Sequence, residues 1–146
     1  MNAPCPCGAG LPLAQCCGRL HARFAADGAL TAPTAEALMR SRYAAFALLG
    51  EAGPQEARRM AAYLAATWAP EHRPAVEDLL PGQGEDAPRF TRLAVLDTRD
   101  GGPFQDRGTV EFAAVGHGAD GRFRLRERSR FRREDGVWLY VDGEVR

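Results

Sequence analysis

All four cysteines of the chain lie between residues 5 and 17, and this clustering limits what the chain can fold into more than any other feature. They form two close pairs, Cys5-Pro6-Cys7 and Cys16-Cys17, separated by eight residues. Four thiolates can complete a tetrahedral shell around zinc, and a shell made wholly of protein ligands is typical of a structural site. The same donor set tolerates iron. The pattern therefore predicts a metal site, with zinc as the expected ion and iron as the alternative.

The segment that carries these cysteines, residues 4–18, is rich in Cys, Pro and Gly and shows no helical or strand period. Because it has few apolar residues, we expect this segment, here called the cysteine knuckle, to fold around an ion rather than around a core. Three alternatives stay open: ordinary thiols, a redox pair, and a ligand set in which His21 replaces Cys17. A redox pair is disfavoured because a disulfide between adjacent cysteines is strained.

The part of the chain after the cysteine knuckle first shows helical periodicity. Pro33-Thr34 is a plausible helix start, and the apolar residues that follow predict a helix over 35–49, which Gly50 ends. Pro54 opens a second helix that ends near Trp68. We expect residues 71–80 to add one further helical turn.

From residue 89 onward the apolar period becomes two, after a Pro- and Gly-rich loop over 81–88. Strands are predicted over 89–98, 108–116, 122–133 and 137–142, and the short links between them imply an antiparallel meander. Helices followed by a run of adjacent strands describe an α+β domain in which the helices cover one face of a curved antiparallel sheet.

Charge and hydropathy indicate which partners and which cellular compartment to expect. The chain has 19 basic and 19 acidic residues, so no global field favours nucleic acid or an anionic membrane. We expect no membrane partner, since no segment approaches the roughly 18 apolar residues of a membrane span. The N-terminus lacks the features of a secretory signal. We therefore expect a cytoplasmic protein, whose thiols stay reduced.

The third predicted strand alternates strictly between arginines and other residues. One parity holds six arginines, from Arg122 to Arg132, and the other holds Phe123, Leu125, Glu127, Ser129 and Phe131. Because successive strand residues point to opposite faces, the apolar parity must face the core and carries Glu127 and Ser129 inward. A buried carboxylate needs a partner. The simplest reading is an ion pair of Glu127 with Arg40 or Arg42.

The outward arginines allow two interpretations. Arg124, Arg126 and Arg128 could follow a phosphate backbone and bind RNA or the ribosome in a salt-sensitive manner. Alternatively they form a solvated sheet face with acidic cross-strand partners such as Glu111, which the zero net charge favours.

Cys5-Pro6-Cys7-Gly8-Ala9-Gly10 and Gln15-Cys16-Cys17-Gly18 together resemble the SEC-C motif, best known as the zinc-binding tail of the protein-export motor SecA. The resemblance implies that the metal ligands are Cys5, Cys7, Cys16 and Cys17. Ala9 stands where the motif usually has serine, which is not a ligand. The tail of the export motor engages the chaperone SecB, so the resemblance also implies another protein as partner. We expect residues 1–22 to form this zinc-binding motif.

Five further segments resemble the YchJ family of bacterial proteins: 38–46, 67–68, 110–112, 127–131 and 138–143. The family joins a SEC-C motif to a domain similar to nuclear transport factor 2 (NTF2) and the SnoaL-like enzymes. The resemblance implies a cone-shaped, cystatin-like α+β fold over residues 33–146. Where the family has Thr-Trp-His-Pro, this chain has Ala69 in place of the histidine. That departure weakens any proposal of a catalytic base there.

Cone folds of this type enclose a pocket between the sheet and the helices. The candidate pocket residues are Arg42, Tyr43, Trp68, Glu127, Ser129, Tyr140 and Asp142, with Glu127 as an acid or base and Arg42 as an anion clamp. No complete catalytic set is visible, so an enzyme is the less favoured expectation. Three classes of function remain, in this order: a zinc-dependent protein-interaction module, an RNA or ribosome contact, and a small-molecule pocket. Oligomeric state is not predicted.

Overall fold

The structure, a computed structural model, describes residues 3–80 and 89–146. The loop predicted over 81–88 lies outside these described residues. In chain order the helices are α1 (Cys17–Asp27), α2 (Ala35–Leu49), α3 (Pro54–Ala66) and the short α4 (Val76–Leu79). The strands are β1 (Arg89–Asp100), β2 (Arg107–Gly118), β3 (Gly121–Glu134) and β4 (Val137–Val145). Two short 3₁₀ turns lie at Leu13–Gln15 and Pro70–His72.

Helices α2 and α3 confirm the predicted helical segments. The side chain of Thr34 caps α2 by accepting a hydrogen bond of 3.0 Å from the backbone N–H of Ala37. Pro54 occupies the first turn of α3, where its missing N–H costs nothing. The predicted helical turn over 71–80 is present as the turn at Pro70–His72 and as α4.

Helix α1 was not predicted. Its inward face is formed, at helical spacing, by Cys17, Leu20, His21 and Phe24. From the sequence, Cys17 was interpreted as a metal ligand and not as part of a helix face. Gly28 ends the helix in the left-handed conformation, with φ of 78°. Because α1 continues to Asp27, the expected motif boundary at residue 22 falls inside a helix.

The four strands form one antiparallel sheet in the order β1-β2-β3-β4, which confirms the predicted meander. The strands are longer than predicted, and β4 reaches Val145 because that residue still pairs with Glu127 on β3. Register shifts interrupt the β1–β2 pairing twice and the β3–β4 pairing once, between Arg130 and Phe131. Such bulges bend and twist a sheet.

Helix α2 lies between the sheet and the other helices. Leu38 and Met39 pack against Val110, Phe131 and Trp138 of the sheet, all at most 4% exposed. On its other side, Ala45 and Leu49 pack against the buried residues of α3. Ala44 of the same helix packs against the cysteine knuckle. Helix α2 therefore contributes residues to both of the sites described next.

Candidate metal centre and internal cavity

The four cysteines converge on one point. Their sulfur atoms all lie within 4.8 Å of one another, and the sulfurs of Cys7 and Cys16 are 3.6 Å apart. Zinc–sulfur bonds of about 2.3 Å in a tetrahedron place the sulfurs about 3.8 Å apart. The donor set and its spacing therefore fit a four-coordinate metal ion and could hold zinc or iron.

Backbone hydrogen bonds bring the two cysteine pairs together. The N–H of Cys5 donates to the carbonyl of Leu11 at 2.9 Å, which closes the loop between the pairs. The second pair sits where the 3₁₀ turn joins α1, and a Cβ on Gly18 would lie 2.5 Å from the carbonyl oxygen of Leu13. Glycine is required there because no side chain would fit the turn into the helix.

Three of the clustered thiols have strongly shifted pKa values. Hydrogen bonding from Cys17 and from the nearby backbone lowers the pKa of Cys5 to about 4, despite its burial. Burial and the neighbouring sulfurs raise the pKa of Cys16 to about 11, and the hydrogen bond to Cys5 with burial raises the pKa of Cys17 as well. The sulfur of Cys5 thus carries negative charge readily, while Cys16 and Cys17 retain their protons. A divalent cation would stabilise thiolates at Cys16 and Cys17 as well and release those protons.

The side chain of His21 makes other contacts and lies outside the sulfur cluster. Its Nε2 donates to the carbonyl of Ser41 at 2.9 Å, and its ring packs edge-on against Tyr63, with centroids 4.8 Å apart. Burial lowers the pKa of His21, so the ring is neutral at physiological pH. The residue links α1 to α2, and Cys17 rather than His21 lies in the sulfur cluster.

The cysteine knuckle is docked firmly on helix α2. Nη1 of Arg40 donates to the carbonyl of Cys7 at 2.9 Å, and Ala44, fully buried, packs against Cys5, Cys7 and Cys17. The predicted ion pair between Arg40 and Glu127 is wrong, because Arg40 pairs instead with Glu36 one helical turn earlier. Arg40 thereby connects the metal centre to the main domain.

A cavity of about 360 Å³ lies between α2 and the inner face of the sheet. It brings together six of the seven residues predicted to form a pocket: Arg42, Tyr43, Trp68, Glu127, Ser129 and Tyr140. The predicted placement of Asp142 is wrong, because its carboxylate pairs with Arg130 on the opposite face. The register shift in the β3–β4 pairing explains this: Tyr140 is opposite Phe131 but Asp142 is opposite Arg130.

The guanidinium of Arg42 lies over two aromatic rings. It lies 4.7 Å from the ring centre of Trp68 and 4.6 Å from that of Tyr140. Its Nη1 donates to the carbonyl of Leu64 and to the hydroxyl oxygen of Thr67, at 2.8 and 2.6 Å. Burial lowers the pKa of Arg42 to about 10, which leaves it protonated at neutral pH. Cation–π contacts replace the carboxylate partner that was predicted.

Glu127 is stabilised by hydroxyl groups rather than by an arginine. Its Oε2 accepts hydrogen bonds from Ser129 at 2.7 Å and from Tyr140 at 3.1 Å. The predicted ion pair with Arg42 is therefore wrong in its contacts, although both charges line the same cavity. Gly143 on β4 leaves space for the side chain of Glu127, since a Cβ at position 143 would lie 2.6 Å from the Glu127 carboxyl carbon.

The outward parity of β3 carries the arginines, as predicted. Arg126 pairs with Glu111 across the strands at 2.6 Å, and Arg132 pairs with Glu71. Arg124 is exposed and Arg128 half-buried. These acidic partners support the interpretation of a solvated sheet face. RNA binding through Arg124, Arg126 and Arg128 stays a prediction.

Several residues at the two sites were not predicted from the sequence. Thr67, which orients Arg42, and Gly143, which admits Glu127, act through partners distant in the chain. Phe46 carried a usable signal, because it stands one helical turn after Arg42 and two after Leu38 on the same face of α2.

In the described part of the chain, none of the helices is long and apolar enough to cross a membrane.

Comparison with known proteins agrees with both parts of the molecule. A family described as the middle NTF2-like domain of YchJ matches residues 34–143, and the SEC-C motif matches residues 1–19. A UPF0225 protein of Streptomyces coelicolor is 48% identical over 141 residues, covering 97% of this chain and 94% of the relative. One from Corynebacterium glutamicum is 43% identical and covers 99% of both chains.

Two solved structures share the fold. The solution structure of a SEC-C motif containing protein from Rhodopseudomonas palustris is 35% identical, with a TM-score of 0.73, and covers 99% of this chain and 98% of that one. The crystal structure of a SEC-C motif containing protein from Psychrobacter arcticus is 22% identical, with a TM-score of 0.70 over 100% and 83% of the chains, and shows the fold alone. The predicted α+β, NTF2-like fold with an N-terminal cysteine motif is thus confirmed, and the chain belongs to the YchJ family of UPF0225 proteins.

Proposed function

We propose that this protein binds one zinc ion through Cys5, Cys7, Cys16 and Cys17, and that the zinc-bound cysteine knuckle is a protein-interaction module. The convergence of four sulfurs within 4.8 Å is the observation that carries the proposal. A shell filled by four thiolates leaves no open position for a substrate, so the ion serves structure rather than catalysis. Iron is the alternative ion, since the same donors accept it.

The surface around the ion supports a role in binding another protein. Gly8, Ala9, Gly10 and Leu11 are all exposed, and together they form the loop between the cysteine pairs. Leu11 projects with 46% of its surface accessible beside the metal centre. A metal ion would hold this loop in one conformation, which lowers the entropy lost when a partner docks.

Metal content is the first test. Untagged protein, purified without chelator, is analysed by inductively coupled plasma mass spectrometry beside a Cys16→Ser/Cys17→Ser variant. We expect one zinc per chain in the wild type and none in the variant. Iron in place of zinc would correct the ion, and protein without any metal would overturn the proposal.

The interaction is tested with a photo-crosslinking residue placed at Leu11 and, as a control, at Leu96. The two positions are matched in exposure, at 46% and 45%, but Leu96 lies on β1, outside the cysteine knuckle. We expect a discrete crosslinked protein from Leu11 that is absent from Leu96 and is lost in the Cys16→Ser/Cys17→Ser background. A crosslink that survives loss of the metal would contradict a zinc-dependent module.

A further inference from the structure

The cavity under α2 has the size and the lining of a binding site for a small molecule. Its volume of about 360 Å³ falls in the range of ligand pockets, which are mostly apolar with a few placed polar groups. Its walls are largely aromatic and aliphatic, and include Met39, Phe46, Phe90, Phe112, Leu125 and Phe131. A flat, largely apolar molecule would match these walls.

The charges in the cavity balance each other. Among the described residues that line it, the charged groups are Arg42 and Glu127, one of each sign. Arg42 is 5% exposed, and no carboxylate in the described part of the chain lies within 4.0 Å of it. A ligand with a net charge would add an uncompensated charge to an apolar space, which is costly. The occupant should therefore be neutral.

One polar group that lines the cavity still has room for a partner. Glu127 uses Oε2 for both of its hydrogen bonds, and within the described residues its Oε1 accepts none. Buried polar groups are normally satisfied, so a carboxylate oxygen without a donor at the wall of an apolar cavity points to a missing partner. The hydroxyl of Tyr43 also lacks a partner in the described structure, but it is fully buried and so is not open to the cavity.

From these observations we propose that the cavity binds a neutral aromatic molecule that carries an O–H or N–H donor for Glu127. The donor group bonds to Oε1 of Glu127. The aromatic body lies among the phenylalanine side chains. This site is separate from the cysteine knuckle, and the proposal holds whichever metal that knuckle carries.

A matched set of naphthalene probes tests the proposal on the full chain at constant metal content. Naphthol offers a neutral donor, methoxynaphthalene has a similar shape without the donor, and naphthoate and naphthylmethylammonium carry a charge of either sign. Binding is measured by calorimetry and by the shift in melting temperature. We expect naphthol to bind about tenfold or more tightly than each of the other three, as a hydrogen bond to a charged acceptor requires.

Two variants identify the site. Glu127→Gln should weaken naphthol binding and reduce its preference over methoxynaphthalene. Tyr43→Phe is the control, because it removes a buried hydroxyl that is not open to the cavity: it should leave naphthol binding unchanged and raise the melting temperature of the free protein. The proposal is overturned if naphthol does not bind at millimolar concentration, if a charged probe binds as well, or if Glu127→Gln binds naphthol like the wild type.

Discussion

Gly143→Ala is expected to destabilise the protein by displacing the carboxylate of Glu127. A methyl group at position 143 would lie 2.6 Å from Cδ and 2.9 Å from Cγ of Glu127, closer than atoms can approach. The backbone at Gly143 does not have a positive φ, so alanine itself is tolerated there. The side chain of Glu127 must therefore move, and it loses its hydrogen bonds from Ser129 and Tyr140.

The magnitude follows from those two bonds. Hydrogen bonds to a charged group contribute about 1.5–3 kcal/mol each, and solvent screening at the half-buried Glu127 reduces this to about 1–1.5 kcal/mol each, so we take about 2–3 kcal/mol for both. Replacing a strand glycine by alanine returns about 0.5–1 kcal/mol through the unfolded state. The net loss in the free energy of unfolding should be about 1–2 kcal/mol.

A double-mutant cycle measured by urea unfolding isolates this cause. In a Glu127→Ala background the methyl group meets no carboxylate, so Gly143→Ala should become neutral or slightly stabilising, with a coupling of about 2 kcal/mol. Gly118→Ala is the matched control, because a Cβ there would lie 3.8 Å from the ring of Phe123, an ordinary contact. An equal loss of stability in both backgrounds would refute the reasoning.

Three further outcomes are expected from the core and the buried polar groups. Ser41→Ala should lower the free energy of unfolding by about 1–3 kcal/mol, because it leaves the hydroxyl of Tyr63, 2.7 Å from Ser41 Oγ, unpaired. Adding Tyr63→Phe to this variant should recover part of the loss. Additive effects of the two substitutions on the free energy of unfolding would contradict this pairing. Leu38→Ala, at 1% exposure, should cost about 2–5 kcal/mol in urea unfolding, and Leu96→Ala, at 45%, should cost far less; similar losses would contradict the described core. Because burial lowers the pKa of His21, the unfolded chain takes up its proton more readily, so stability should fall as pH drops below about 6.5. Metal-free protein carrying His21→Gln should lose less stability between about pH 7 and 5 than metal-free wild type does. The same dependence of the free energy of unfolding on pH in both proteins would exclude His21 as the cause.

Local patterns in the sequence were enough to predict most of the secondary structure and the clustering of the four cysteines. The boundaries of α2 follow from Thr34 and from apolar spacing, which depend on residues a few positions apart. The inward placement of Glu127 and Ser129 follows from strict alternation along one strand. The four cysteines were recognisable as a candidate metal site because they are close in sequence, and the structure brings their sulfurs within 4.8 Å of one another.

Other features depend on contacts between distant parts of the chain and were decided by the tertiary structure. Tyr140 and Asp142 are two residues apart and were both predicted to line the pocket, but the register shift beside Arg130 turns Asp142 to the opposite face of the sheet. The partners of Glu127 and Arg42 were likewise mispredicted. Both charges are satisfied by hydroxyls and aromatic rings, some from distant segments, which packing brings within reach.

The sequence by itself thus determined most of the elements, α1 excepted, and which sulfurs could bind a metal, because short-range spacing controls both. The tertiary structure decided that the cysteine knuckle is anchored on α2 through Arg40 and Ala44, and that the same helix lines the cavity with Arg42 and Tyr43. Neither arrangement can be read from spacing, since each depends on which face of α2 meets which partner once the core is packed.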